Sequence, residues 1–217
     1  YLDNEDVSTT SDVSITNSNF NNNKGDGLRV YSKGAITLSG ITADGNTVKG
    51  ASLNNNTAAV AKNVTLVTGA NEFNFNGWNG IDIFSKGAIM LKDIDVIGNG
   101  CSDPDPNNCF NGGWFDNTSG IAPITMTGTN VFSENAGGGF AAWSHGAITI
   151  NNLVAVANPG GSGAYIDNAT GTLTAQPVTL TGFVQANYNG RGLRILSNGA
   201  VTLSNVTATN NHGINVD

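Results

Sequence analysis

The chain has 217 residues, of which only 12% are charged, and its formal net charge is −7. Nucleic-acid-binding proteins present a basic face, so this balance argues against nucleic acid and equally against an anionic membrane surface. Every apolar run is far shorter than the ~20 residues that cross a bilayer, so we expect no membrane insertion. The length suffices for one domain with a sizeable core.

A segment near the N-terminus returns three more times along the chain. Its copies are SKGAITLSGITADGN (32–46), SKGAIMLKDIDVIGN (85–99), SHGAITINNLVAVAN (144–158) and SNGAVTLSNVTATNN (197–211). A weaker motif alternates with it, as VSIT (13–16), VTLV (64–67), ITMT (124–127) and VTLT (178–181). Together the two motifs predict eight equivalent strands, so each repeat of about 53 residues contains two coils.

Each coil carries three successive strand signals. In AITL, Ile36 and Leu38 share one face and Thr37 takes the other. A second run such as GITA (40–43) follows, and then a third such as GASLNN (50–55). Short strands separated by Gly/Asn turns at a fixed period predict a parallel β-solenoid. We therefore expect one all-β domain over 1–217, with three parallel sheets and about eight coils, roughly 38 Å long at ~4.8 Å per coil.

Asparagine recurs at one position of successive coils. Its copies are Asn23, Asn46, Asn76, Asn99, Asn135, Asn158 and Asn211. The remaining coil carries Tyr188 there, between Asn187 and Asn189. Asparagine suits the left-handed backbone of a tight turn, and its amide both donates and accepts hydrogen bonds. The pattern favours an internal asparagine ladder over a ligand-binding array.

The stacked apolar strands and Asn-bearing turns resemble right-handed parallel β-helices of the pectin-lyase-like superfold. The GAITL…NVTAxxN wording is similar to the repeat regions of large secreted bacterial surface proteins and adhesins. The resemblance covers essentially the whole chain. It implies a right-handed solenoid and an extracellular or cell-surface location, but it does not fix a function.

Enzymes of this superfold cleave acidic polysaccharides, and their motifs are missing here. The sequence has no Asn-Thr-Asp or Asp-Asp segment, neither His145 nor His212 follows a glycine, and Arg194 is not followed by Ile-Lys. Paired carboxylates for acid/base hydrolysis are not evident, so we expect no catalytic residues and no enzyme. A glycan-binding or polysaccharide-cleaving β-helix stays the alternative.

One interval between repeats is longer than the others because of the insertion CSDPDPNNCFNGG (101–113). Cys101 and Cys109 are the only cysteines and flank its first part, which favours a disulfide and an oxidising compartment. Asp103 and Asp105 are candidate calcium ligands, although a pinned surface loop is the default interpretation. We expect no other cofactor.

Acidic residues also recur at one strand end, where Asp3, Asp116, Asp167 and Asp217 align with Asn54. Aligned copies lie two coils apart, roughly 9–10 Å, which is too far for one calcium ion to bridge. Turns in which the side chain accepts from a nearby backbone N–H explain the pattern better.

Two outward columns of aromatic residues are candidate contacts for a glycan or a protein partner. One contains Tyr31, Phe84, Trp143 and Leu196, and the other, expected in another sheet, contains Tyr1, Trp114 and Tyr165.

The two ends of the chain match each other in the repeat. Residues 1–4 match 165–168, and residues 213–217 match 163–167. Uncapped strand edges invite stacking, so we expect end-coil contacts through Tyr1, Leu2, Asp3, Ile214, Val216 and Asp217. The sequence thus favours a structural or adhesive extracellular rod, joined head to tail with itself or continued in a longer chain.

Overall fold

The computed structural model describes residues 1–5, 10–100, 109–171, 174–214 and 216. Within these ranges the secondary structure is entirely strand, turn and bend. No helix in this part of the chain is long and apolar enough to cross a membrane. The disulfide and the calcium site predicted at Cys101, Asp103 and Asp105 lie outside the described residues.

The strands are short and follow one another at the spacing of the repeats. In chain order they are β1 (Leu2–Asn4), β2 (Val13–Asn19), β3 (Leu28–Ser32), β4 (Ile36–Thr42), β5 (Ala51–Asn54), β6 (Val64–Thr68), β7 (Asn71–Glu72), β8 (Ile81–Phe84), β9 (Ile89–Lys92), β10 (Ile94–Ile97), β11 (Gly113–Asp116), β12 (Ile124–Thr127), β13 (Asn130–Ser133), β14 (Phe140–Trp143), β15 (Ile148–Val154), β16 (Ser162–Asp167), β17 (Val178–Gln185), β18 (Arg191–Leu196), β19 (Val201–Leu203) and β20 (Val206–Thr207).

These strands form two parallel sheets, which confirms the predicted all-β, parallel architecture. The eight-stranded sheet has the order β1-β3-β5-β8-β11-β14-β16-β18, one strand from each successive coil. The twelve-stranded sheet contains two files of strands, where a file is the stack of equivalent strands from successive coils. Its first file holds the AITL-type strands and its second file holds the GITA-type strands. Strands β2, β4, β15 and β17 run through both files.

The sequence predicted three separate sheets. In the structure the two files of the twelve-stranded sheet are joined into one sheet, and the eight-stranded sheet is the other. The files meet at a bend of one left-handed residue per coil, with φ between 46° and 76°. The residues at this bend are Asn17, Gly40, Gly69, Asp93, Gly128, Asn152, Gly182 and Asn205. In the coils of β2, β4, β15 and β17 a single strand continues around this bend, whereas in the other coils the strand is interrupted there.

The core lies between the sheets and runs through the coils without interruption. Inward side chains alternate with outward ones along each strand, so Val30, Ile36 and Leu38 are fully buried while Tyr31 is half-buried. In the middle coils Phe132 contacts both Phe115 and Phe140, with ring centroids 5.9 and 4.8 Å away. Each inward side chain therefore packs mainly against its counterparts in the coils before and after it.

The recurring asparagines form one continuous hydrogen-bonded ladder. The Asn76 side-chain oxygen accepts bonds of 2.9 Å from both the backbone N and the Nδ2 of Asn46. The Nδ2 of Asn76 in turn donates to Asn99 Oδ1 at 3.0 Å and to the Ala43 carbonyl at 3.0 Å. Both amide hydrogens and the oxygen are used inside the fold, so the ladder is structural and offers no free amide to a ligand.

The ladder differs from the sequence prediction in two details. Asn189, not Tyr188, is the member in its coil, because the bend between Thr181 and Val184 contains one extra residue. The left-handed residue is also not the ladder asparagine but the one before it, such as Gly45 or Tyr188. In each turn the ladder asparagine therefore directly follows the left-handed residue. The members of the ladder are Asn23, Asn46, Asn76, Asn99, Asn135, Asn158, Asn189 and Asn211.

At two of the recurring glycine positions, a Cβ atom would clash with a neighbouring group. A Cβ on Gly50 would lie 2.7 Å from the ladder amide of Asn76, and the same contact recurs at the glycine that opens the next strands. A Cβ on Gly87 would lie 2.3 Å from the Lys62 carbonyl oxygen, while its N–H donates to Ser85 Oγ at 3.1 Å. The repeated S-x-G-A motif therefore forms a turn that is closed by the serine hydroxyl.

Replacing Asn99 by alanine tests the ladder. We expect the free energy of unfolding to fall by about 1–3 kcal/mol, because buried donors and acceptors of Asn76 and Asn135 lose their partner. Chemical denaturation measures this change. Asn151→Ala is the matched control, since Asn151 lies on the outward face and its change should stay within about 0.5 kcal/mol. Equal effects of the two substitutions would contradict the role of the ladder.

Candidate functional site

Both aromatic columns lie on the outer face of the eight-stranded sheet. Strand pairing places Tyr31, Phe84 and Trp143 in one column, where they alternate with strand-end Asp and Asn residues. Trp114 and Tyr165 lie in the neighbouring outward column of the same sheet. The prediction that they belong to another sheet was wrong, because the two types of coil contribute alternate strands to one sheet.

Three of the predicted aromatic residues are in contact. The Trp114 and Trp143 ring centroids are 4.2 Å apart, and those of Trp143 and Tyr165 are 5.5 Å apart. We call Trp114, Trp143 and Tyr165 the aromatic ribbon. The Arg194 guanidinium carbon lies 5.2 Å from the Tyr165 ring centroid and closes the ribbon at one end.

The other three predicted aromatic residues, Tyr1, Tyr31 and Phe84, are not part of the ribbon. Tyr31 contacts Tyr1, with ring centroids 6.0 Å apart, near the first coil. In the described part of the chain, Phe84 makes no ring contact.

A second aromatic pair, which the sequence did not single out, lies beside the ribbon. Trp78 and Phe110 stack nearly parallel, at 9° and with centroids 4.9 Å apart. They border a shallow groove of about 250 Å³, which we call the Trp78 groove. Its lining residues are Lys49, Trp78, Asn79, Cys109, Phe110, Asn111 and Trp114. The sequence could have indicated this pair by position, because Trp78 and Phe110 each come two residues before the glycine that precedes a strand.

The polar residues of this groove hold one another in place. Lys49 Nζ lies 2.5 Å from Asp82 Oδ2, and Asn79 Nδ2 donates to Asp82 Oδ1 at 2.7 Å. The Asn79 oxygen accepts from the Asn111 backbone N at 2.8 Å, and the Asn111 oxygen accepts from Gly138 N at 2.8 Å. Burial raises the pKa of Asp82, although the Lys49 cation and the Asn79 bond lower it.

The recurring strand-end acids close turns, as the sequence indicated. Asp3, Asp116 and Asp167 each accept a backbone hydrogen bond from the residue two positions later, at 2.9–3.0 Å. Asn54 does the same with Asn56 N at 3.0 Å. Burial raises the pKa of Asp167, but the bonds from Thr170, Ala169 and Tyr165 outweigh it and hold the pKa below its ordinary value.

A larger groove lies elsewhere, along the bend between the two files of the twelve-stranded sheet. It measures about 600 Å³, and its charged lining residues are Lys92, Asp93 and Asp95. Lys92 lies 3.5 Å from Asp93, whose Oδ1 also accepts from Thr129 N at 2.7 Å. Burial and the Asp93 charge raise the pKa of Asp95. Within the described residues, no group of three or more His, Cys, Asp or Glu side chains is placed to hold a metal ion.

The predicted end-coil residues lie at opposite ends of the stack. Tyr1 is 80% exposed and Leu2 is half-buried, while Ile214 and Val216 are 54% and 45% exposed. Asp217 lies outside the described residues.

Comparison with models of known protein families, with curated proteins and with solved structures returned no significant match.

Two aspartates with opposite pKa shifts give opposite responses to pH. Because the folded pKa of Asp167 is lowered, its ionised form stabilises the fold above the ordinary value of 3.8, and this contribution disappears as pH falls through the folded pKa. We therefore expect Asp167→Asn to be less stable than the parent at neutral pH, with a gap that closes in acid.

Asp95→Asn is the comparison for that experiment. The folded pKa of Asp95 is raised above 3.8, so its ionisation costs stability at neutral pH and costs nothing once the group is protonated in both states. This variant should be the more stable one at neutral pH and should match the parent in acid. Urea midpoints measured from neutral pH to below 3.8 test both signs, and the same sign for both variants would contradict these assignments.

Proposed function

We propose that the chain is a structural rod segment of an extracellular or cell-surface protein, built to be extended by further coils. In this proposal the solenoid is a right-handed β-helix with three faces, formed by the eight-stranded sheet and the two files of the twelve-stranded sheet. Head-to-tail stacking, with another copy or with the continuation of a longer chain, then gives an open, heterologous assembly.

The observation that carries this proposal is the exposure of core positions in the end coils. Val178 and Leu180 are fully buried, but their partners one coil later, Val201 and Leu203, are 47% and 38% exposed. At the other end, Leu2 is half-buried although its partner Val30 is fully buried. These side chains continue the core, and a further coil would cover them.

Stacking at these ends is favourable for two physical reasons. Fully burying a Val or Leu side chain contributes about 1.5–3 kcal/mol, and several such side chains are incompletely covered at each end. Within the described residues, the end strands β1, β2, β19 and β20 pair on one side only, and such an edge accepts another strand in the register already used throughout the sheet.

The central part of the chain supports a passive role. The ladder amides bond one another, the strand-end acids close turns, and Asp93 of the bend groove is held by Lys92 and by a backbone N–H. These groups maintain the fold, so we propose a non-enzymatic protein. The extracellular location belongs to the same proposal and rests on the family resemblance and on Cys101 and Cys109.

Electron microscopy of the purified protein tests self-stacking. We expect filaments with an axial repeat of roughly 38 Å, from eight coils at ~4.8 Å each. Leu203→Lys should abolish them, because it places a charge in the apolar contact between units. Thr202→Lys is the matched control, since Thr202 is exposed on the same strand but points outward, and its filaments should persist.

Two results would contradict the proposal of a homopolymer. One is a monodisperse population of short rods at high protein concentration. The other is filament formation by Leu203→Lys equal to that of the parent, which would show that units meet through some other surface.

A further inference from the structure

We propose that the aromatic ribbon and the adjoining Trp78 groove form a binding site for an uncharged polysaccharide of pyranose rings. The site lies on the outer face of the eight-stranded sheet, away from the end coils. The site is therefore separate from the surfaces proposed for head-to-tail stacking. It would give the structural rod a second function, the binding of a ligand along its side.

The ribbon has the shape of a stacking platform. Trp114, Trp143 and Tyr165 come from three consecutive strands and alternate between two outward columns, so the rings follow a zigzag along the solenoid axis. All three are half-buried, and their rings contact one another with planes tilted by 36° and 44°. The exposed parts of such aromatic side chains pack against the apolar faces of sugar rings.

The spacing of the platform suits a chain of sugars. Consecutive parallel strands are about 4.8 Å apart, which is close to the length of one pyranose unit in an extended chain. The ring contacts at 4.2 and 5.5 Å have the same scale. A polysaccharide lying along the axis would thus meet a new aromatic ring or polar group at nearly every unit.

The Trp78 groove supplies hydrogen-bonding groups beside the platform. Among the described residues, the Asn111 Nδ2 and the indole N–H groups of Trp78 and Trp114 have no protein acceptor. Asn111 is fixed in place by its bonds to Asn79 and Gly138, so its amide is positioned before any ligand binds. Positioned donors at the edge of aromatic faces are what hydroxyl-rich ligands require.

The charges of the site favour an uncharged ligand. Lys49 is paired with Asp82, and the Arg194 guanidinium lies over the Tyr165 ring. Asp116 and Asp167 are committed to turns at the ends of their strands. These groups are two cations against three carboxylates, so the ribbon carries no excess positive charge that would attract an acidic polysaccharide.

Affinity electrophoresis through gels that contain a polysaccharide tests the proposal. The probes are hydroxyethyl cellulose, xyloglucan, galactomannan and pullulan as uncharged chains, and polygalacturonate as an acidic one. We expect at least one uncharged probe to retard the protein, with a retardation that added salt leaves unchanged. Polygalacturonate should have no effect.

Variants connect the retardation to the proposed residues. Trp143→Ala and Trp114→Ala should each abolish it, while Trp143→Phe, which keeps an aromatic face, should retain part of it. Tyr188→Ala is the matched control, because Tyr188 is an exposed aromatic residue at a different turn, 58% accessible, and its loss should change nothing. Circular dichroism and thermal unfolding of each variant establish that the fold is kept.

Three results would overturn the inference. The first is a lack of retardation by every uncharged probe, and the second is retardation by polygalacturonate alone. The third is unchanged retardation by Trp114→Ala and Trp143→Ala when both are folded. A change in self-association of these variants, measured by sedimentation without any polysaccharide effect, would instead assign the ribbon to contacts between copies of the chain.

Discussion

The solenoid depends on one recurring interaction, in which the side-chain oxygen of a ladder asparagine accepts two N–H groups from the coil before it. Asn76 receives them from Asn46, and then passes its own two donors on to Asn99. Because a slip of one residue would leave several buried groups without partners, this ladder fixes the register of each coil on the next. The apolar columns and the outward columns follow from that register.

A structure held by nearest-neighbour contacts leaves its outer surface free to vary. Coils of different length fit the same stack, as the extra residue between Thr181 and Val184 shows. The outer face of the eight-stranded sheet combines acids that close turns with aromatic residues that have no such task. The same principle makes the end coils unlike the rest, since each lacks one neighbour for its core side chains.

Much of the fold could be predicted from the sequence, because its cause is periodic. Alternation within AITL and the recurrence of asparagine indicated parallel coils, an internal ladder and turns closed by Asp116 and its equivalents. The joining of two strand files at a one-residue bend escaped prediction, since Gly40 and Asp93 occupy the same left-handed position without resembling each other. The stack of Trp78 on Phe110 and the Lys49–Asp82 pair also escaped, because contacts between different coils at non-repeating positions leave no periodic signal.

Every coil is stabilised by the coils on either side of it. Hydrogen–deuterium exchange of the backbone amides, followed segment by segment in the unstacked protein at low concentration, measures this dependence. We expect the strongest protection in the middle coils around Asn99 and Asn135, and a decline towards β1 and β20 at the two ends. Protection that is uniform from end to end, or strongest in the end coils, would contradict it.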